Sequence, residues 1–225
     1  GSLFLYHEVP TNGIGYLDLM FDLSDVPEKD LPMVGLLQAV LGIIDTEHYE
    51  YGELFNEINR HTGGIGTSLE LYPDVTKVKE KEFKATFEIK GKALYGQIPF
   101  AIRMMKEILT ASKLDDEKRL KEILSMTKTR LQDRFLSAGH SAAALRAMSY
   151  KSPISKFKDT TNGIEYYQNI REMEEHFDEM RKERNDRMKV ESRLSLNRKY
   201  GESKEEIGCL FASKNGDFVK RIALW

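Results

Sequence analysis

The sequence predicts an α+β fold: an antiparallel or mixed sheet with helices packed mainly on one face. Two observations carry this. Several segments of the first hundred residues alternate apolar and polar side chains, the period of a half-buried strand. The remainder loses that alternation and reads as a succession of helices. The expected order is strand, strand, helix, helix, strand, strand, then several helices, with no internal repeat and no low-complexity linker.

Leu3 to Glu8 and Gly13 to Leu23 both alternate. In the second run Gly15, Leu17, Leu19, Phe21 and Leu23 make one apolar face, opposite Ile14, Tyr16, Asp18, Met20 and Asp22. Thr11-Asn12-Gly13 between the runs is turn chemistry, because Asn and Gly tolerate positive φ. The chain is therefore expected to open with a pair of strands. Ser24-Asp25-Val26-Pro27 starts a helix, since Pro sits comfortably in a first turn. Leu31, Val34, Leu36, Leu37, Val40, Leu41 and Ile44 leave that helix little polar face, so it is expected to be buried on most sides until Asp45-Thr46 ends it.

Tyr51 to Arg60 predicts a second helix with Leu54, Phe55 and Ile58 inward, stopped by Gly63-Gly64. Ile65 to Tyr72 reads as a strand ending at Pro73, and Asp74 to Glu82 as a charged turn. Phe83 to Lys90 alternates, with Phe83, Ala85, Phe87 and Ile89 on one face. Helices follow over Pro99 to Ser112 and Asp115 to about Leu136, the second opening on Asp115-Asp116-Glu117, where the helix dipole favours negative charge. Ser141 to Tyr150 is small and Ala-rich, a tightly packed helix, with Ser152-Pro153 and Asn162-Gly163 as punctuation. Glu165 to about Lys199 is a charged helical stretch. Residues 1–189 read as one domain, and 190–225 as an unassigned tail in which Leu210-Phe211-Ala212 and Phe218-Val219 are short strands or a loosely held end.

Composition removes whole classes of function. The chain has 225 residues, 40% hydrophobic and 31% charged, with 34 basic against 36 acidic side chains. A net charge of −2 attracts neither nucleic acid nor an anionic membrane. No run approaches the ~18 apolar residues of a membrane span, and Gly1-Ser2-Leu3-Phe4 lacks the basic head of a signal peptide. Cys209 is alone, so no internal disulfide forms; the expectation is a reducing compartment, cytoplasm or organelle matrix.

Residue chemistry alone shows no active site. The histidines are His7, His48, His61, His140 and His176, and no two stand four apart, the spacing that lets two imidazoles share an ion on a helix. Glu57 and His61 share a helical face but lack a third ligand nearby; helix-end polarity accounts for them better than a metal does. Gly13-Ile14-Gly15 and Gly63-Gly64-Ile65-Gly66 do not join a strand to the start of a helix, as a phosphate loop must. Ser141 beside His140 is an adjacency whose side chains point apart on a helix, and Cys209 has no His near it in sequence. The stretch from Arg171 to Lys189 mixes both signs at helical spacing and reads as a solvated face.

Two blocks carry a resemblance. Thr11-Asn12-Gly13-Ile14-Gly15-Tyr16-Leu17-Asp18-Leu19-Met20-Phe21-Asp22-Leu23 is one. The other runs from Asp45-Thr46-Glu47-His48-Tyr49 through Glu57-Ile58-Asn59 to His61-Thr62-Gly63-Gly64-Ile65. Both resemble the C-terminal half of presequence-protease-type peptidases in the pitrilysin/insulinase family of zinc metallopeptidases. The likeness covers roughly residues 3–185 and is strongest before Tyr72.

The resemblance implies a LuxS/processing-peptidase-like domain, the third of four, in an enzyme whose halves close over an unfolded peptide. In that family the first domain carries the inverted motif His-x-x-Glu-His and a later Glu as third zinc ligand. This domain is a degenerate copy of that first one. Laid over the catalytic helix, the first helix here puts Gly35, Gln38 and Ala39 where the two His and the Glu would stand. Glu117 or Glu122 fall near the third ligand's place. Gly and Ala ligate nothing, and a Gln amide takes no proton at neutral pH.

The resemblance thus implies a non-catalytic fragment holding no metal, with zinc in the parent enzyme. Asn12, Gly13, Gly63 and Gly64 remain as structural turn positions. Its expected partners are the catalytic half and the fourth domain of the parent chain, the unfolded peptide substrate, and a second copy through self-association; nucleic acid and membrane are excluded. The alternatives are an independent peptide- or partner-binding module of the same fold, which would take extended peptides along a sheet edge, and a metalloenzyme using Glu57 and His61. The family's substrate-holding Arg and Tyr are not assigned to Arg198-Lys199-Tyr200, and the end of the chain departs from the family as a truncated or altered terminus would.

Overall fold

The computed structural model describes residues 5–7, 9–74 and 83–179. Strands β1 (Ile14–Asp22), β2 (Ile65–Pro73) and β3 (Phe83–Leu94) form one antiparallel sheet in the order β1-β3-β2. The helices are α1 (Leu31–Val40), α2 (Tyr51–His61), α3 (Ile98–Thr110), α4 (Glu117–Ser149), α5 (Pro153–Asn162) and α6 (Ile164–Glu175). This is the expected α+β class.

Alternation places the core. Leu19, Ile89 and Thr67 lie across from one another in register, as do Phe21, Phe87 and Leu69. Phe87 and Ile89 are fully buried and anchor a cluster with Val34, Leu37, Leu54, Met105 and Ile108. A second cluster lies away from the sheet: Leu36, Val40 and Ile44 against Leu120, Ile123, Leu124, Tyr166 and Ile170. Helix α1 supplies both clusters, which is why its sequence is apolar on nearly every side. Each large side chain so buried stabilises the fold by roughly 2 kcal/mol.

Several expectations need correction. Leu5–His7 are not in a strand; β1 pairs with β3 instead of an N-terminal partner. The turn survives without its first strand: Asn12 (φ 52°) and Gly13 (φ 83°) are left-handed, and Ile14 N donates to Thr11 O at 3.2 Å. Pro27 precedes only a short 3-10 turn, Glu28–Asp30, and α1 begins at Leu31 with Pro32 in its first turn. It ends at Val40, because Gly42 adopts φ 87°; Leu41 and Ile44 are buried from the following loop. Phe55 is exposed, so the inward face of α2 is Leu54 and Ile58.

Strand β3 runs past Lys90 to Leu94, because Gly91 lets Met105 approach the sheet there: a Cβ on Gly91 would lie 2.5 Å from Met105 Cε. The two helices expected over Asp115–Leu136 and Ser141–Tyr150 are one, kinked at Ala138 (φ −137°, ψ 40°). Ser152-Pro153 and Asn162-Gly163 enclose α5: the Ser152 side chain accepts from Ser155 N, and Gly163 joins α5 to α6. The charged turn beyond Asp74, the charged stretch beyond Glu179 and the tail 190–225 lie outside the described residues.

One ion cluster locks the last three helices. Asp159 is fully buried; its Oδ2 lies 2.6 Å from Arg146 Nη1, and its Oδ1 accepts from Ile164 N at 2.9 Å. Arg146 also reaches Glu165 at 2.9 Å, and Lys156 lies 2.6 Å from the same carboxylate. Removing the guanidinium strands a buried charge. Arg146→Ala is expected to lower unfolding free energy by about 3 kcal/mol. Lys128→Ala, at a pair with neither partner fully buried, is expected to cost clearly less; urea denaturation checks both.

Candidate functional site

The residues singled out on α1 lie where that helix meets both the sheet edge and the α5–α6 junction. Gly35 is buried, and a Cβ built on it would stand 2.5 Å from the Thr161 carbonyl oxygen and 2.9 Å from Tyr166 Cε2. Only glycine permits that approach without displacing backbone. Gln38 turns the other way: its Nε2 donates to Thr67 O at 3.5 Å, while Thr67 Oγ1 donates to Gln38 O at 3.1 Å. Ala39 is half-buried. These three side chains offer no metal ligand: a hydrogen, a methyl and an amide turned toward a backbone carbonyl.

The Gln38–Thr67 contact sits at one end of an open strand edge. Strand β2 pairs only with β3, and Lys92 N donates to Gly64 O, so alternate residues of β2 face β3 and the others face away. Thr67, Leu69 and Leu71 face away. Beside Leu69 and Leu71 lies a cleft of ≈ 510 Å³, walled by Gln38, Arg134, the α4 kink at Ala138 and Lys158. Arg134 Nη1 donates to Asn162 Oδ1 at 2.9 Å, and burial, with Arg130 nearby, holds its guanidinium below the usual range. Neither Arg134 nor Lys158 has a carboxylate partner among the described residues.

The outward face of the sheet carries a network that strand patterning missed. Glu88 points away from the helices yet is fully buried, because β3 is the central strand and side chains from both neighbours cover it. Its Oε1 accepts from Tyr72 Oη at 2.7 Å and Thr86 Oγ1 at 2.6 Å; its Oε2 lies 2.8 Å from Lys90 Nζ, which also reaches Glu70 at 3.0 Å. Burial opposes the charge on Glu88, but bonds from Lys90, Thr86 and Tyr72 outweigh it and hold the carboxyl below its usual range. The bond to Glu88, with burial, pushes Tyr72 up to about 12. Asp18 is raised, by burial first and then by Glu88.

The other candidates fall apart in space. Glu57 and His61 meet only as a 3.6 Å pair; Glu57 also binds Arg60 at 2.7 Å, and the His61 ring packs on Phe100 with centroids 4.8 Å apart. Glu117 opens α4, and Glu122 pairs with Arg119 at 3.1 Å. His140 and Ser141 are exposed beyond the kink. Gly64 takes φ 109°, and Gly63 N donates to Lys92 O at 2.7 Å, fixing the start of β2. Cys209 and Arg198-Lys199-Tyr200 lie outside the described residues. Among the described residues no three His, Cys, Asp or Glu side chains converge as a metal site, and no helix is long and apolar enough to cross a membrane.

Two outcomes follow from this geometry. Gln38→Glu sets a carboxylate against the Thr67 carbonyl and is expected to destabilise by about 1 kcal/mol in urea titration, more than Gln38→Met does. Glu88 has a depressed folded pKa, so its contribution is present above the ordinary value of 4.5 and disappears as pH falls through the folded one. Glu88→Gln is therefore expected to cost about 2 kcal/mol at neutral pH, with the gap from wild type closing in acid. Asp18, raised, acts with the opposite sign and is unchanged in that comparison.

Comparison with known proteins places this geometry in a lineage. The family model described as "Peptidase M-16C associated" matches residues 1–173. Protein HypA of Clostridium perfringens is 34% identical over 167 residues, 74% of this chain and 17% of that protein. Presequence protease 1, chloroplastic/mitochondrial, of Arabidopsis thaliana is 26% identical over 180 residues, covering 80% of this chain and 16% of the relative. The mitochondrial presequence protease of Mus musculus is 27% identical over 160 residues, 71% of this chain and 15% of its own length. The chain thus spans about a sixth of the length of the relatives it matches. By the extent of the family match, this chain belongs to that peptidase-associated family.

Proposed function

We propose that this chain is a non-catalytic domain of a zinc metalloendopeptidase that degrades peptides, and that it forms part of the wall of the substrate chamber. Its partners on this reading are the catalytic half and the fourth domain of the parent chain. Residues 1–189 make up the domain on the same reading. The parent works in a compartment that keeps thiols reduced.

The observation that carries the proposal is Gly35. On the proposed correspondence it stands where a zinc-ligating His would be, and there the α1 backbone is pressed against the Thr161 carbonyl. A His at that position has no room for its Cβ, let alone an imidazole reaching an ion about 2 Å away. Gln38, in place of a general base, engages the edge of β2, and an amide neither takes a proton nor activates water. Ala39 supplies no second imidazole. The residues present do not fit zinc, so the metal and the base belong to another domain, and this one contributes shape.

Such a domain presents surface built to meet sister domains. Tyr16, Met20 and Tyr72 stand exposed on the uncovered sheet face, and Leu136 and Met148 on α4. Exposed apolar groups of this size favour self-association of a chain separated from its partners.

The gene is expected to encode His-x-x-Glu-His in frame upstream of this segment. Adding the separately produced catalytic half to this chain should restore peptide cleavage that neither shows alone. Cleavage by this chain alone, or an upstream frame with no zinc motif, would overturn the proposal. Light scattering on the chain alone should show dimers or larger species that the catalytic half dissolves.

A further inference from the structure

We propose that the open edge of β2 is a strand-docking site that takes an extended peptide segment bearing a carboxylate side chain. The site needs only this chain, so its failure would leave the wall role untouched.

Backbone chemistry supplies the first half of the case. The register turns the N–H and C=O groups of Leu69 and Leu71 away from β3, and no described residue pairs with them. Their side chains pack into the core, which holds the edge rigid. Groups two residues apart repeat at about 6.8 Å, the spacing at which an extended chain offers its own donors and acceptors. The cleft of ≈ 510 Å³ runs beside these residues, and Gln38 closes one end by taking Thr67 O. Opposite the edge, α4 shows the small side chains Ala138, Ser141 and Ala142, leaving room for a strand about 4.8 Å away. Edges left open are commonly blunted by charge or covered; here the helices stand back and leave a slot.

Charge selects the occupant. The cations lining the slot, Arg134 and Lys158, lack carboxylate partners among the described residues, whereas Glu70 at its rim is 3.0 Å from Lys90. Arg134 is partly desolvated, so an anion beside it is stabilised more than one in open water. The opposite edge of the sheet, β1, carries Asp18 and Asp22 and repels the same segment. Strand addition supplies the hydrogen bonds and the two cations supply the preference.

The test uses the whole 225-residue chain and fluorescein-labelled peptides of about ten residues, alternating Val and Thr with a central Glu, Gln or Lys. Fluorescence anisotropy should rank Glu above Gln above Lys, with the Glu peptide about fivefold tighter than the Gln peptide. Methylating alternate backbone nitrogens of the Glu peptide should abolish binding. Lys158→Glu, a change at an exposed side chain, should remove or reverse the ranking. Hydrogen exchange should find the Leu69 and Leu71 amides unprotected in the free chain and protected by the Glu peptide. Equal binding of all three peptides, or indifference to methylation, would overturn the proposal. So would amides already protected before peptide is added, which means that a second copy or another part of the chain holds the edge.

Discussion

The backbone-to-backbone approach of α1 and the end of α5, at Gly35, is the constraint on which the rest of the structure depends. A Cβ at that position would lie 2.5 Å from the Thr161 oxygen. Because no side chain intervenes, α1 can lie against the α5–α6 junction while its other side packs on Phe87 and Ile89. Two hydrophobic clusters are thereby joined through one ten-residue helix. The ion cluster around Asp159 works from the far side of the same contact, fixing the ends of α5 and α6 so that the Thr161 carbonyl stays in place. Packing interiors are close to crystalline in density, so a contact of this kind admits little compromise.

On the proposed correspondence, the same contact bears on function. A helix that holds a catalytic ion must leave space for ligands, water and substrate, whereas this one spends its surface on its neighbours. Gln38 illustrates the change: its amide closes one end of the β2 edge instead of facing a reactive centre. Chemistry lost from α1 is thus accompanied by cohesion gained between α1, α5 and the sheet. The open part of β2, beyond Gln38, is the place where the described residues bring unsatisfied backbone groups and cations without carboxylate partners together.

Much of the fold was legible in local pattern. Alternation found β1, β2 and the inward face of β3, because a single residue of slippage would turn Phe87 and Ile89 outward. The uniform apolar character of α1 announced burial on both sides. What failed was non-local. Leu3 to Glu8 alternates as well as β1 does, yet pattern cannot say whether a partner edge exists. Phe55 fits the helical stripe of α2 but lies past the rim of what α3 covers. Glu88 looked like a solvated outward residue; its burial follows from β3 being central, a fact of strand order. At the site, the identities of Gly35, Gln38 and Ala39 were plain, but not their partners. No sequence signal pointed to Thr161 or Thr67, because those contacts cross 126 and 29 positions respectively.

The central claim is that α1 is a packing element closed to metal, and the amount of zinc held by the purified chain tests it most directly. After equilibration with excess zinc and gel filtration, elemental analysis should find far less than one ion per chain, with no zinc-dependent rise in melting temperature. One firmly retained ion per chain, released by chelator with loss of stability, would contradict the account.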